Sequence, residues 1–79
     1  MEILLFGITK EITGKQKLSV AAENQLHTVA DLKHWLGQHY PAITKLSSLA
    51  VAVNSEYADD SVAIDEQSEI ALIPPVSGG

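Results

Sequence analysis

Thr28-Val29-Ala30-Asp31-Leu32-Lys33-His34-Trp35-Leu36-Gly37-Gln38-His39-Tyr40-Pro41 is the stretch on which the fold turns. It has the grammar of an amphipathic helix. Thr28 and Asp31 form a capping box in which Asp stands for the usual Glu. At roughly 100° per residue, Val29, Leu32, Leu36 and Tyr40 share one arc, with Trp35 at its edge and His39 within it. Asp31, His34 and Gln38 fall opposite. Pro41 ends the helix at or before Tyr40. Gly37 costs about 1 kcal/mol against Ala and predicts early fraying.

On the N-terminal side, Ile3 to Ile8 predicts a strand, with Ile3 and Leu5 on one face and Leu4, Phe6 and Ile8 on the other. A strand apolar on both faces is usually central in its sheet. Gly7 marks a bulge or a close backbone approach. Thr9 to Gly14 reads as a polar connection. Lys15 to Ala21, with Leu18 and Val20 on one face, completes an antiparallel hairpin.

On the C-terminal side, Ala42 to Leu46 is a short connector. Leu49, Val51 and Val53 then alternate with Ala50 and Ala52, a strand whose alanine face lies close to something. Asn54-Ser55-Glu56 is a turn. Tyr57 to Ile64 carries a turn at Asp59-Asp60 and predicts a short edge strand around Val62. Asp65 to Ser68 is a loop, and Glu69 to Ile73 is the last strand. The order is β-β-α-β-(β)-β, an α+β chain with four to five strands and one main helix. One helix of this length covers one face of the sheet, so the other face stays partly open. Phe6 or Tyr57 on that face would form an apolar patch of the kind that marks interfaces.

The last strand runs into Pro74-Pro75-Val76-Ser77-Gly78-Gly79. Neither proline can donate to a ladder, and paired prolines favour a stiff, extended backbone. Residues 1–79 are therefore expected to be one domain, with 74–79 projecting as a tail. A glycine carboxylate is sterically open, and Gly78 and Gly79 can follow a narrow channel. The carboxylate is ionised at neutral pH, its pKa being about 3.3 to 3.7, and is a poor electrophile. It becomes an acyl donor only after activation, most simply as a mixed anhydride with a nucleotide phosphate. Nothing in the chain supplies that activation. The plain alternative is a frayed chain end.

Composition narrows the function. Seventy-nine residues bury about 60% of their unfolded surface, leaving no room for a deep cleft. With 46% hydrophobic and 19% charged residues the chain is of folded type. It has no cysteine, hence no disulfide, thiolate metal site or cysteine nucleophile, which fits a reducing cytoplasm. Five lysines, no arginine and ten acidic residues give a net charge of −5. That disfavours nucleic acid and anionic membranes and favours a partner with a basic surface. No apolar run approaches the ~20 residues of a membrane span, and the N-terminus lacks signal-peptide features. His27, His34 and His39 do not make a metal site, because His34 and His39 are five apart and share no face. Asp59, Asp60, Asp65 and Glu66 lack the spacing and glycine of a calcium loop. No Gly-rich phosphate loop and no Ser-His-Asp set is present. No metal and no bound cofactor is expected, and no catalysis by the chain alone.

The element order resembles that of the β-grasp, or ubiquitin-like, fold. Leu4-Leu5-Phe6-Gly7-Ile8-Thr9-Lys10-Glu11-Ile12-Thr13-Gly14 resembles the opening of molybdopterin synthase small subunits, the MoaD-type sulfur carriers. Val51 to Tyr57 resembles their Val-Asn turn, and Ile73 to Gly79 is similar to their terminal signature. Three departures stand out. Lys10 replaces a common Arg and loses bidentate recognition. Glu66-Gln67-Ser68 replaces an Asp-Gly-Asp turn, and Ile73 replaces a residue that is often aromatic.

The resemblance implies a mixed sheet and a carrier cycle. A MoeB-type adenylating enzyme uses ATP on the Gly79 carboxylate, and a sulfur donor converts the adenylate to a thiocarboxylate. The tail then enters a MoaE-type large subunit, and sulfur passes to cyclic pyranopterin monophosphate in molybdenum cofactor biosynthesis. The family's assembly is a heterotetramer. By the same match Pro74, Pro75, Val76, Ser77 and Gly78 form the inserted arm. Phe6, Lys10, Tyr57 and Ile73 lie at the partner interface. Plain core packing is the alternative for Phe6 and Ile73, an ordinary turn aromatic for Tyr57, and a solvated loop lysine for Lys10. Two rival functions remain. One is a related carrier for thiamine synthesis or tRNA thiolation; thiamine carriers usually lack the Pro-Pro-Val stretch. The other is a non-catalytic ubiquitin-like interaction module or protein modifier.

Overall fold

The computed structural model describes residues 1–21, 24–46 and 49–74. Its sheet is mixed, with strand order β2-β1-β5-β3-β4. The strands are β1 (Glu2–Leu5), β2 (Lys17–Ser19), β3 (Ala50–Val53), β4 (Glu56–Ala58) and β5 (Glu69–Ile73). β1 pairs antiparallel with β2 and parallel with β5, so it has neighbours on both sides, as its two apolar faces predict. β5 lies antiparallel to β3, which pairs antiparallel with β4. Two helices accompany the sheet, α1 (Gly7–Thr13) and α2 (Val29–His39), with a 3₁₀ turn at Pro41–Lys45.

The core lies on one face of the sheet. Ile3, Leu5, Leu18, Val51, Val53, Ile70 and Leu72 point into it, and α2 adds Val29, Leu32 and Leu36. Val20, Ile43 and Ile64 complete the cluster. The helical arc read from sequence is the buried face of α2, with Trp35 and Tyr40 half-buried beside it. The exposed His39 ring stacks on Trp35 at a centroid distance of 4.2 Å.

The capping box forms as read. The Asp31 N–H donates to Thr28 Oγ1 at 3.2 Å, while the Asp31 carboxylate accepts from the His27 and Thr28 N–H groups at 3.0 and 3.2 Å. Those bonds, that from His27 foremost, hold the Asp31 carboxyl below its ordinary value of 3.8. The next two donors of the helix are satisfied from outside it. The Val29 N–H bonds the Val62 carbonyl and the Ala30 N–H bonds the Asp60 carbonyl, both at 3.0 Å.

That contact corrects the edge strand expected around Val62. The strand beside β3 is Glu56–Ala58 instead. Residues 60–64 spend their backbone groups on the N-terminal end of α2, through a bridge of Ala63 to Thr28 and an Ile64 N–H to His27 carbonyl bond of 2.8 Å. Asn54 (φ 50°) and Ser55 (φ 71°) make the expected turn in the doubly left-handed form that suits a tight hairpin. Asn54 also exchanges bonds with Glu69, through its own N–H at 2.8 Å and its side-chain oxygen at 2.9 Å, which ties the turn to the start of β5.

The connection Thr9–Gly14 is a correction of larger scale. β1 stops at Leu5, and Gly7–Thr13 is helical. Thr9 is buried and Ile12 half-buried on its inner side. Gly14 caps it at φ 73°, its N–H donating to the Lys10 carbonyl at 2.9 Å. The antiparallel β1–β2 pair is thus joined by a helical turn. Early fraying at Gly37 is corrected as well: α2 runs to His39, and Tyr40 caps it with an N–H to Leu36 carbonyl bond of 2.7 Å. A Cβ at Gly37 would lie 2.8 Å from Thr44 Cγ2, so glycine there lets the 3₁₀ turn pack against α2. No helix among the described residues is long and apolar enough to cross a membrane.

Leu32 is fully buried where α2 meets the sheet. Leu32→Ala is expected to cost about 2–5 kcal/mol, read by urea unfolding. The depressed Asp31 carboxyl contributes stability above its ordinary value, lost as pH falls through its lower folded-state value. Asp31→Asn should therefore flatten the acid limb of stability against pH, measured by thermal melts between about pH 2 and 5.

Candidate functional site

The parallel register of β1 and β5 ends at Leu5 opposite Leu72. One step further puts Phe6 level with Ile73, and the next brings Gly7 to Pro74. A Cβ at Gly7 would lie 3.1 Å from Pro74 Cγ. Gly7 has φ 54°, in the left-handed region that glycine adopts without penalty. The glycine read as a close approach is one, and its partner is the root of the terminal hexapeptide. Pro74 itself is half-buried. Pro75, Val76, Ser77, Gly78 and Gly79 lie outside the described residues.

The open face of the sheet spreads away from this root. Leu4, Ala71, Ala52 and Tyr57 form one row across four strands, with Lys17 flanking Leu4 on β2. Ile73 and Ala50 form the next row, with Phe6 at its level. Phe6 is 50% exposed and Tyr57 75% exposed, far too open for core residues. Ile73 is half-buried. The alanines leave a low floor between Leu4 and Tyr57. This is an apolar face with large side chains at its margins, the form that interface patches take.

Lys10 is on α1, beside this face. With Leu4, Leu5, Phe6, Gly7, Gln16 and Lys17 it lines an open hollow of about 520 Å³ that no acidic residue lines. Lys17 pairs with Glu2 at 3.1 Å. Next to the root, therefore, an acidic chain presents lysines. Phe6, Lys10, Ile73 and Pro74 come together at one end of the sheet, while Tyr57 stands across the alanine floor. Leu4 and Lys17 belong to the same surface and were not singled out from the sequence. Leu4 was read for its face, but nothing in a single strand shows which residues flank it across the sheet. Among the described residues no three His, Asp or Glu side chains gather as metal ligands.

Three comparisons bear on this arrangement. The profile of the ThiS family matches residues 3–79. The molybdopterin synthase sulfur carrier subunit of Dictyostelium discoideum is 38% identical over 81 residues, covering 99% of this chain and 94% of the relative. That of Arabidopsis thaliana is 34% identical, covering 100% and 82%. Among solved structures, SAMP1 from Haloferax volcanii superposes with a TM-score of 0.81 at 31% identity, covering 100% of this chain and 98% of that one. The five-stranded mixed sheet with its helix on one face is the ubiquitin-like β-grasp fold.

Gly7→Ala tests the contact at the root. The left-handed backbone should cost about 1–2 kcal/mol in urea unfolding. The nuclear Overhauser effect between Gly7 Hα and the Pro74 ring should weaken as the new methyl displaces the ring.

Proposed function

The chain belongs to the ThiS family, and on that premise we propose that it is the sulfur-carrier small subunit of a molybdopterin synthase, acting in the cytoplasm. The Gly79 carboxylate is the group that carries sulfur. One carboxylate oxygen attacks the α-phosphorus of ATP on a MoeB-type adenylating enzyme, and pyrophosphate leaves. Sulfur from a separate donor attacks the acyl carbon, and AMP leaves with that oxygen. The product is a thiocarboxylate, soft and nucleophilic at neutral pH. The carrier then docks on a MoaE-type large subunit, two of each in the assembly, and its tail delivers sulfur to cyclic pyranopterin monophosphate. ATP is consumed by the partner; the carrier holds no cofactor of its own.

The observation that carries this reading is the placement of Pro74. The root of the tail is packed against Gly7 beside exposed Phe6, on the rim of the sheet's open face. A partner covering that face brings its own active site within reach of the residues that follow. Tethering of this kind raises the effective concentration of the reacting group. Residues Pro74 to Gly79 are the inserted arm. Phe6, Tyr57 and Ile73 supply the docking contacts, and Lys10 meets an acidic group at the edge.

A second reading keeps the activation and changes the acceptor. SAMP1, 31% identical over the whole chain, belongs with small archaeal modifier protein 1 structures. An amine attacking the same acyl group would give an isopeptide, as a protein modifier requires.

Intact mass decides the chemistry. After incubation with ATP, the adenylating enzyme of the same organism and sulfide, the carrier should gain about 16 Da, sulfur for oxygen at one carboxylate. Deleting Gly79 should abolish the gain. An unchanged mass with an enzyme shown to be active would sink the carrier reading. Mass gains on substrate proteins in place of the small shift would favour the modifier. For docking, Phe6→Ala and Tyr57→Ala should each weaken binding to the large subunit by more than about fivefold, over 1 kcal/mol in titration calorimetry.

A further inference from the structure

Thr9 is fully buried, and its hydroxyl serves one residue. The Phe6 N–H donates to Thr9 Oγ1 at 3.1 Å, and the same Oγ1 donates to the Phe6 carbonyl at 2.6 Å. A single side chain thereby binds both backbone polar groups of Phe6. Phe6 is held extended, at φ −128° and ψ 152°, and Gly7 follows at φ 54°. At this change of direction, where the β1–β5 register brings Gly7 beside Pro74, a Cβ on Gly7 would lie 3.1 Å from Pro74 Cγ.

Pro74 lies just past the end of both strand ladders. The ladder with β1 ends at Leu72 and the ladder with β3 ends at Ile73. Proline has no N–H to extend either. Its ring packs against Gly7, where a Cβ would lie 3.1 Å from Pro74 Cγ. A buried hydroxyl is costly unless bonded, and valine would fill the same space without that cost. The hydroxyl of Thr9 therefore does what packing alone would not: it bonds the Phe6 N–H and joins the Thr9 N–H, at 3.2 Å, on the Phe6 carbonyl.

We propose that Thr9 is a positioning residue for the carrier reaction. Its hydroxyl fixes the turn, the turn offers Pro74 a seat, and the seat fixes the point from which the acyl-bearing residues reach a partner's active site. The inference rests on the carrier reading for its kinetic consequence, but the seat itself is a property of the free protein.

The test compares Thr9→Val, which keeps the shape and removes the hydroxyl, with Thr9→Ser, which keeps the hydroxyl. The adenylating enzyme, ATP and sulfide charge each variant, and intact mass follows the rate. With Thr9→Val, kcat should fall roughly five- to thirtyfold, the factor one residue's backbone ordering is worth, while KM changes less than about twofold. A protein that had merely lost folded population would change its apparent KM instead. Thr9→Ser should return kcat to within about threefold of wild type. Gly7→Ala, which keeps the Thr9 hydroxyl but strains the left-handed backbone at Gly7 and displaces Pro74, should reproduce the kcat loss, so the proposal stays open to refutation should Thr9→Val fail to fold. The Gly7–Pro74 nuclear Overhauser effect should be present in wild type and Thr9→Ser and weak in Thr9→Val. Wild-type kcat in Thr9→Val or in Gly7→Ala, no rescue by Thr9→Ser, or an undiminished Overhauser effect in a folded Thr9→Val each overturns the seat. A wild-type protein that takes up no sulfur counts against the carrier reading, and the Overhauser comparison then decides the seat by itself.

Discussion

The parallel pairing of β5 with β1 is the constraint on which the rest of the molecule depends. Parallel neighbours leave the sheet at the same end, and the chain between them has to cross over. Here the crossover is everything from α1 to the Asp65–Ser68 loop, and α2 is the part of it that covers the core. The pairing also brings the exit of the first strand beside the exit of the last. Phe6, Gly7, Ile73 and Pro74 meet for that reason, though 67 positions separate Gly7 from Pro74. An antiparallel β1–β5 pair would have put the two exits at opposite ends of the sheet.

A chain of this size has one long helix to cover its sheet, and the second face stays open. The division shows in the alternation along the central strands. Ile70 and Leu72 are fully buried under α2, while Ala71 between them forms part of the open floor. The helix is held in place at its N-terminal end by backbone bonds from residues 60 and 62, as well as by its own apolar arc. The covered face is thus tied down by hydrogen bonds and packing together. The open face carries Phe6 and Tyr57 at its margins.

Charge follows the same division of labour. The net charge of −5 suggests a basic partner when read from composition. Yet three of the five lysines fall between positions 10 and 17, and two of them line the hollow beside Phe6 and Gly7. A surface acidic on average thus presents two lysines near the tail root, so its charge there differs from that of the whole molecule. Composition averages over the surface, and recognition does not.

Much was legible in the sequence because local physics decides it. The 3.6-residue period of Val29, Leu32 and Leu36, the Thr28–Asp31 cap, the alternation of Val51 and Val53, and the strand Glu69–Ile73 before two prolines each depend on residues a few positions apart. What misread was local pattern overruled by distant contacts. Thr9–Gly14 has turn-like composition and is helical because Thr9 and Ile12 find an interior to face. Val62 has strand character, but the unpaired donors of α2 claim the backbone around it. Gly37 reads as a flaw in a helix and is the clearance that Thr44 needs. Within the site, the sequence by itself determined the apolar strand, the glycine after it and the prolines that close β5. Only the tertiary structure decided that Gly7 receives Pro74. That contact joins residues whose pairing is fixed by strand order, and strand order is written in no single segment of the chain.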